Sequence, residues 1–337
     1  MAAWLVGWTN FLGQTAGVAV AISITILILT EDKLPASEVF GKVIDGSGWN
    51  STGFSYLIGY LSIAWSFTDY DATAHLSEEL HNAAISGPVA IAQSLVITWV
   101  FGLLLNISYG FCATDREALL SSPLGNPATQ IFLNAAGRRG GIALWFWVVL
   151  VQIFTGATAM LSDTRTAFAL ARDDLFPGSK MLRKMNHNTN TPLYSVWFVV
   201  IICCLLNLIA LGSAQTINGI FGITAPACDL SYIAVIAGRL YYDRERPIAK
   251  GPFSLGKFQK PINYIACIWT VFLTVVLFFP PTYPVTAENM NYAVAISVAI
   301  FLFATAWWFL GANKRYIGPR NDEHMDDEDL RGRPAPA

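Results

Sequence analysis

Two carboxylates stand in the middle of a stretch that is otherwise apolar enough to lie in a membrane. Asp69 and Asp71 follow the apolar run 54–65, which is too short to cross a bilayer core that needs roughly 20 residues. Charged groups inside a membrane are costly and usually mark a substrate or ion pathway. The pattern therefore predicts a discontinuous helix over 54–79, with a polar break that faces a cavity rather than lipid.

The predicted break offers two kinds of polar group to a ligand. Freed backbone N–H groups and the N-terminus of the second half-helix can bind an anionic group, and the carboxylates can bind a substrate ammonium or a coupling cation. An alternative is that Asp69 or Asp71 caps the second half-helix, which also requires a broken helix. The residues of the break that we predict to bind substrate are Ser66, Phe67, Thr68, Asp69, Tyr70 and Asp71.

Asp229 is a second intramembrane carboxylate, three positions after Pro226. Proline removes one hydrogen bond of a helix and kinks it. A carboxylate just after the kink indicates a polar interior surface, so we add Asp229 to the predicted substrate site. The alternative is a carboxylate that bonds to a neighbouring helix for packing.

Four further charged residues are expected at the cytoplasmic ends of helices. Glu78 and Glu79 follow the break and suit either a gating contact or a solvated helix end. Asp163 and Arg165 come late in a long apolar segment. They suit a structural salt bridge, or an arginine whose head group reaches the interface.

Catalytic chemistry is poorly supported by the same residues. A Tyr-Asp pair such as Tyr70-Asp71 occurs in intramembrane aspartyl proteases, but neither Asp163 nor Asp229 follows a Gly-x-Gly motif. The serine, cysteine and histidine residues lack nucleophile-elbow and metalloprotease spacing. His75 could join the two carboxylates of the break in a metal site, but no other spacing supports one. No catalytic residue, metal or cofactor is predicted.

Composition assigns the chain to a membrane. Of its 337 residues, 54% are hydrophobic and 13% are charged, whereas soluble chains carry about 25% charged residues. A soluble enzyme is excluded, and a net charge of −2 gives no basic excess for nucleic acid. Eight apolar segments are predicted to be membrane helices, at 4–29, 54–79, 88–113, 140–171, 193–211, 217–240, 262–279 and 291–310.

The basic residues predict the orientation. The loops on one side hold five of the 21 lysines and arginines, and the other side with the C-terminal tail holds sixteen. Since positive charge is enriched in cytoplasmic loops, both termini are predicted to be cytoplasmic. The tripeptide Asn50-Ser-Thr is a glycosylation sequon in a loop predicted to be outside. We expect a multi-pass protein of the plasma membrane, with the vacuolar membrane as the alternative.

Several stretches in order resemble a known transporter family. The sequence is similar to the amino acid–polyamine–organocation superfamily, in particular to its amino acid/choline transporters, the fungal choline and 4-aminobutyrate permeases. The match runs over nearly the whole chain from about residue 35. The stretches that carry it are 7–14 (GWTNFLGQ), 47–53 (SGWNSTG), 66–79 (SFTDYDATAHLSEE), 165–173 (RTAFALARD), 190–192 (NTP), 211–213 (LGS), 229–232 (DLSY), 285–292 (VTAENMNY) and 316–319 (YIGP).

The resemblance implies a fold and an activity. Members have twelve helices, the first ten in a five-plus-five inverted repeat, with helices one and six unwound at the substrate site. By this comparison, residues 54–79 are helix six and residues 54–313 hold helices six to twelve. The implied activity is uptake of small amines or amino acids such as choline, 4-aminobutyrate or polyamines, coupled to a proton or sodium ion. Trp65, Phe67 and Tyr70 are placed to form an aromatic cage for a quaternary amine, or equally to pack.

The chain departs from the family in length. Helices one to three have no counterpart, and the first segment combines the start of helix four with the end of helix five. We therefore expect a partial, N-terminally truncated transporter fold of about eight helices. Residues 1–313 form its permease domain, and residues 314–337 form a disordered, acidic cytoplasmic tail. Transport is expected to be impaired in this form, and the alternative is a non-transporting remnant or sensor that associates with other permeases.

Overall fold

The computed structural model describes residues 16–68, 70–77, 80–186, 189, 191–212, 214–245, 251–287 and 289–318. Over these residues the chain is helical, and its β-structure is one isolated bridge between Asn186 and Thr191. The predicted all-α fold is confirmed. The helices are α1 (Ala16–Leu29), α2 (Ala36–Gly41), α3 (Thr52–Ser66), α4 (Ala72–His75), α5 (Ala83–Cys112), α6 (Arg116–Leu120), α7 (Pro127–Arg172), α8 (Ser179–Leu182), α9 (Leu193–Gly212), α10 (Ala214–Glu245), α11 (Gln259–Leu277), α12 (Ala293–Trp307) and α13 (Asn313–Arg315).

The long helices carry the predicted apolar segments. Within the described ranges, five helices are long and apolar enough to cross a membrane: Ala83–Cys112, Pro127–Arg172, Thr216–Asp243, Gly256–Leu277 and Ala293–Arg315. Ala16–Leu29 and Leu193–Ile209 are apolar but shorter. With the broken pair α3 and α4, these helices correspond to all eight predicted segments. The start of the first segment and most of the predicted acidic tail lie outside the described residues.

The region 114–139, which the sequence analysis treats as a loop, is in fact partly helical. It contains α6 and the first part of α7, which starts with a proline at a position where no N–H is needed. Asn126 caps this start by accepting a hydrogen bond from the N–H of Ala128 at 2.9 Å. Gly137 then breaks the helix with a φ of 63°. Apolar patterning missed this short helix because only part of it, around the buried Phe132, faces a core.

The described chain divides into two compact units, residues 1–44 with 88–159 and residues 45–87 with 160–337. The first unit has an apolar core in which the Cys112 thiol donates to the carbonyl of Ile26 at 3.5 Å. Aromatic rings of Tyr109, Phe132 and Trp145 pack in series around it. The buried members of this core are Ile22, Ile26, Cys112, Leu119, Ile131, Phe132 and Leu144.

The second unit is built around α10, which contacts α3, α9, α11 and α12. Pro226 lies inside α10 and is fully buried. One amide joins the neighbouring helices: Asn291 donates to the carbonyls of Leu277 at 2.9 Å and Phe279 at 3.2 Å. Its oxygen accepts from the N–H of Ala293 at 3.1 Å. Asn291 thus satisfies orphan groups at the end of α11 and the start of α12.

An aromatic cluster fixes the loop before α3 to the loop after α11. The ring of Trp49 lies 5.0 Å from Phe54, 5.3 Å from Tyr283 and 6.4 Å from Phe279, between centroids. Its indole N–H donates to the carbonyl of Pro280 at 3.3 Å. These contacts set where α3 begins relative to α11, and therefore where the break after α3 falls.

Replacement of Gly48 by alanine is expected to lower the free energy of unfolding by roughly 1–3 kcal/mol. Gly48 has a φ of 76°, and a Cβ there would collide with the carbonyl of Tyr283. Thermal unfolding in detergent measures the effect. Gly46→Ala is the matched control because a Cβ at Gly46 has open space around it. Equal melting temperatures for the two variants would contradict this account.

Candidate functional site

The interruption of the helix over 54–79 is confirmed: α3 ends at Ser66 and α4 starts at Ala72. The end of α3 satisfies its own carbonyls. The hydroxyl of Ser66 donates to Ser62 at 3.1 Å, and that of Thr68 donates to Trp65 at 2.9 Å. The N–H of Phe67 donates to Ala64 at 3.1 Å. The predicted site residues Ser66, Phe67 and Thr68 therefore close the first half-helix, and the chain beyond them is free to turn.

Asp71 occupies the N-cap position of α4 without capping it. Its Oδ2 lies 3.1 Å from Nε2 of His75 instead. The other ring nitrogen, Nδ1, lies 3.1 Å from Oγ1 of Thr166 on α7. The geometry disfavours the N-cap alternative for Asp71 and gives the carboxylate a titratable partner. Asp69, Glu78 and Glu79 lie outside the described residues.

Helix α10 brings the second predicted carboxylate to the break. The rings of Tyr70 and Tyr232 are 5.3 Å apart, and Tyr70 lies within electrostatic range of both Asp71 and Asp229. The hydroxyl of Tyr232 is buried and lies close to the side chains of Asp71 and Tyr70. The half-buried residues Tyr70, Asp71, Asp229 and Tyr232, with the more exposed His75, are called the carboxylate cluster below.

Trp65 holds the end of α3 against α10. Its indole N–H donates to the carbonyl of Phe221 at 3.0 Å, and the two rings meet edge to face at 5.8 Å. Phe221 lies just before the buried Pro226. Since the ring of Trp65 packs against Phe221 and that of Tyr70 packs against Tyr232, the described ring contacts favour packing over an aromatic cage for these two residues.

A cavity of about 690 Å³ lies within the second unit, in the size range of small-molecule sites. The described residues that line it carry amides and hydroxyls but no charge, and Gly59 on α3 has open space at its Cβ position. We call this space the amide-lined cavity. Its lining comprises Ile58, Gly59, Ser62, Asn218, Gly219, Gly222, Val276, Leu277, Phe279, Pro281, Asn289, Met290, Asn291 and Tyr292.

The other predicted residues lie apart from this arrangement. Asp163 is exposed on α7 and within electrostatic range of Cys203 on α9, and Arg165 is half-buried on α7; both have partners. Asn50 is exposed, with a φ of 53°, immediately before Ser51 at the N-cap of α3. Among the described residues, no group of three acidic, histidine or cysteine side chains could hold a metal ion.

Sequence reasoning missed several residues of the site. Tyr232 had a usable signal, because it stands three positions after Asp229 and therefore on the same helix face. The asparagines of the amide-lined cavity had a weaker one, as polar residues beside apolar segments. Thr166 had none, since its partner His75 is 91 positions away.

The known proteins that this chain resembles are all amino acid permeases in the comparisons below. A family model described as amino acid permease matches residues 1–302. An uncharacterised amino-acid permease of Schizosaccharomyces pombe is 41% identical over 97% of this chain and 60% of its own length. Amino-acid permease 2 of Neurospora crassa is 34% identical over 81% of this chain and 50% of its own length. Amino-acid permease BAT1 of Arabidopsis thaliana is 30% identical over 90% of this chain and 62% of its own length.

These relatives are longer than the chain. The chain matches 50% to 62% of the length of the three. The matched part includes the broken helix and the whole of α10, so the carboxylate cluster lies within the region compared with the family.

Trp65→Phe is expected to keep the ring packing and to lose the bond to Phe221, which lowers stability by about 1 kcal/mol. The thermal unfolding midpoint of the detergent-solubilised chain measures this loss. Trp269→Phe is the control, because Trp269 is 48% exposed and makes ring contacts with Tyr60 and Phe272. A Trp65→Phe midpoint no lower than that of Trp269→Phe would contradict the role of the indole bond.

Proposed function

This chain belongs to the amino acid permease family, and we propose that it is a cation-coupled secondary transporter of small amino acids or amines. The substrates proposed are of the choline, 4-aminobutyrate and polyamine class. The observation that carries the proposal is the carboxylate cluster, where a broken helix brings Tyr70 and Asp71 against Asp229 and Tyr232 of α10.

The chemistry of the carboxylate cluster suits an amine. A carboxylate in a low-dielectric interior is costly unless a cation neutralises it, and a substrate ammonium is such a cation. The hydroxyls of Tyr70 and Tyr232 are donors suited to the carboxylate of an amino acid.

The amide-lined cavity is proposed to be the outer approach to this site. Uncharged amides and hydroxyls can hydrogen-bond a zwitterion without holding it as tightly as a fixed charge would. Ser62 and Gly222 line the cavity, and each lies within one turn of the bonded pair Trp65 and Phe221. We propose that this pair separates the cavity from the carboxylate cluster until the transporter opens.

The orientation and location follow from the distribution of charge. Lysine and arginine concentrate on one side of the predicted spans, which we propose is cytoplasmic together with both termini. The plasma membrane is the proposed location, with the vacuolar membrane as the alternative.

Asp71→Asn is expected to lower uptake of labelled choline, 4-aminobutyrate or amino acids by about tenfold or more, since losing even ~1.4 kcal/mol of binding is tenfold. The assay uses cells that lack their own permeases, with protein abundance measured on the same membranes. Asp32→Asn is the matched control, because Asp32 is an exposed carboxylate in the loop after α1. Normal uptake by Asp71→Asn would contradict the proposal. No uptake of any of these compounds, by this chain or by a version extended to the length of its relatives, would also contradict it.

Asn50 is expected to carry a glycan when the chain is made in a fungal cell. The residue is exposed and lies on the side proposed to be outside. Treatment with an endoglycosidase should increase the gel mobility of the chain, and Asn50→Gln should abolish that change. Asn106→Gln is the control, since Asn106 lies inside α5, where its amide donates to Gly102 at 2.8 Å. If Asn106→Gln abolished the mobility change and Asn50→Gln did not, the glycan would be on Asn106, which would contradict this prediction.

A further inference from the structure

A line of hydrogen-bonding atoms runs from the carboxylate cluster to α7. Oδ2 of Asp71 is 3.1 Å from Nε2 of His75, and Nδ1 of His75 is 3.1 Å from Oγ1 of Thr166. The same Thr166 hydroxyl lies 3.1 Å from the carbonyl of Ser162 one turn earlier. Binding an amine at Asp71 does not by itself require a histidine held at both ring nitrogens.

We infer that His75 is the proton-binding residue of the transport cycle, and that the coupling cation is a proton held between Asp71 and Thr166. This inference rests on the proposed transport function. The protonated ring satisfies every group in the line. Nε2–H donates to Asp71, Nδ1–H donates to Thr166, and the threonine hydroxyl donates to Ser162.

The neutral ring is satisfied only by a rearrangement at Thr166. With one proton removed, Nε2–H still donates to Asp71, so Nδ1 becomes an acceptor. The single hydroxyl proton of Thr166 must then turn from Ser162 to Nδ1. Loss of the proton therefore replaces the hydrogen bond from Thr166 to Ser162 by one from Thr166 to His75. It also leaves Asp71 as a charged carboxylate beside a neutral ring instead of a charged one.

This arrangement favours a proton over a sodium ion. Hard cations take several oxygen ligands, whereas imidazole nitrogen binds protons and borderline metals. At Asp71 the near partner is a ring nitrogen, and the next group along the line is a single hydroxyl.

The proton site is surrounded by groups that respond to its charge. From α10, Asp229, Cys228 and Tyr232 face Tyr70 and Asp71 at the break. On α7, Asp163 and Arg165 come shortly before Thr166, and both have partners. His81 follows on the chain and is exposed, and Glu78 and Glu79 lie between the two histidines in the sequence. While His75 holds the proton at Asp71, the amine can pair with Asp229, the second carboxylate of the cluster. Proton and amine can then be carried inward together.

The first test measures the hydrogen-bond line without transport. Nitrogen-15 NMR of the histidine-labelled full chain in nanodiscs reports the state of each of its four histidines. At alkaline pH, His75 is expected as the pure Nε2–H tautomer, because the Asp71 carboxylate can only accept. Asp71→Asn should convert it to a mixture of tautomers, and His75→Gln identifies the signal. A wild-type His75 in the Nδ1–H form, or a tautomer that Asp71→Asn leaves unchanged, would overturn the inference.

The second test measures coupling. Proteoliposomes holding the full chain take up labelled choline or 4-aminobutyrate under an inward proton gradient or an inward sodium gradient. One pH unit supports up to about tenfold accumulation for one proton per substrate, because 1.4 kcal/mol is tenfold. Wild type and His81→Gln should accumulate the amine under the proton gradient, and His75→Gln should show a ratio of about one.

The outcomes separate the two proposals. Accumulation driven by sodium alone, or proton-driven accumulation that survives in His75→Gln, would overturn the proton site. Failure of both the wild-type chain and a version extended to the length of its relatives to take up any amine would contradict the proposed function. The NMR measurement would still decide whether His75 is held as inferred.

Discussion

The structure depends on the cost of placing polar backbone and carboxylate groups where a membrane helix would otherwise continue. Each unsatisfied backbone group in lipid costs several kcal/mol, so a helix can stop inside a membrane only if its end is satisfied locally. Here Ser66 and Thr68 turn their hydroxyls back onto the last turn of α3. That closure allows the chain to turn, and the turn brings Tyr70 and Asp71 to α10.

Helix α10 holds both sides of this break in place. It packs against α3, α9, α11 and α12 and carries Pro226 at its buried centre. Trp65 bonds to it before the proline, and Tyr70 stacks on it after the proline. One aromatic contact on each side of the proline therefore holds one end of the break. Asp229 lies between Phe221 and Tyr232, the two contact residues of α10.

The sequence was sufficient for features that depend on local chemistry. Asp69 and Asp71 in an apolar run predicted the interruption, and Asp229 after Pro226 predicted a polar interior surface on its helix. Contacts between distant residues were not predictable, because nothing in the pattern around His75 indicates Thr166. The helices within 114–139 had a signal in Asn126-Pro127, a cap followed by a proline, which apolar periodicity alone does not use. The amide-lined cavity depends on how four elements converge, which no single segment encodes.

The central claim is that Asp229 and the break face one water-filled substrate site. It is tested most directly by the reactivity of Asp229→Cys toward a charged, membrane-impermeant thiol reagent, in a chain whose five native cysteines are replaced. The account predicts modification from water, slowed by choline or 4-aminobutyrate, while Val235→Cys on the exposed face of α10 stays unreactive in lipid. An Asp229→Cys thiol as unreactive as that at Val235→Cys, or one that these amines do not protect, would contradict it.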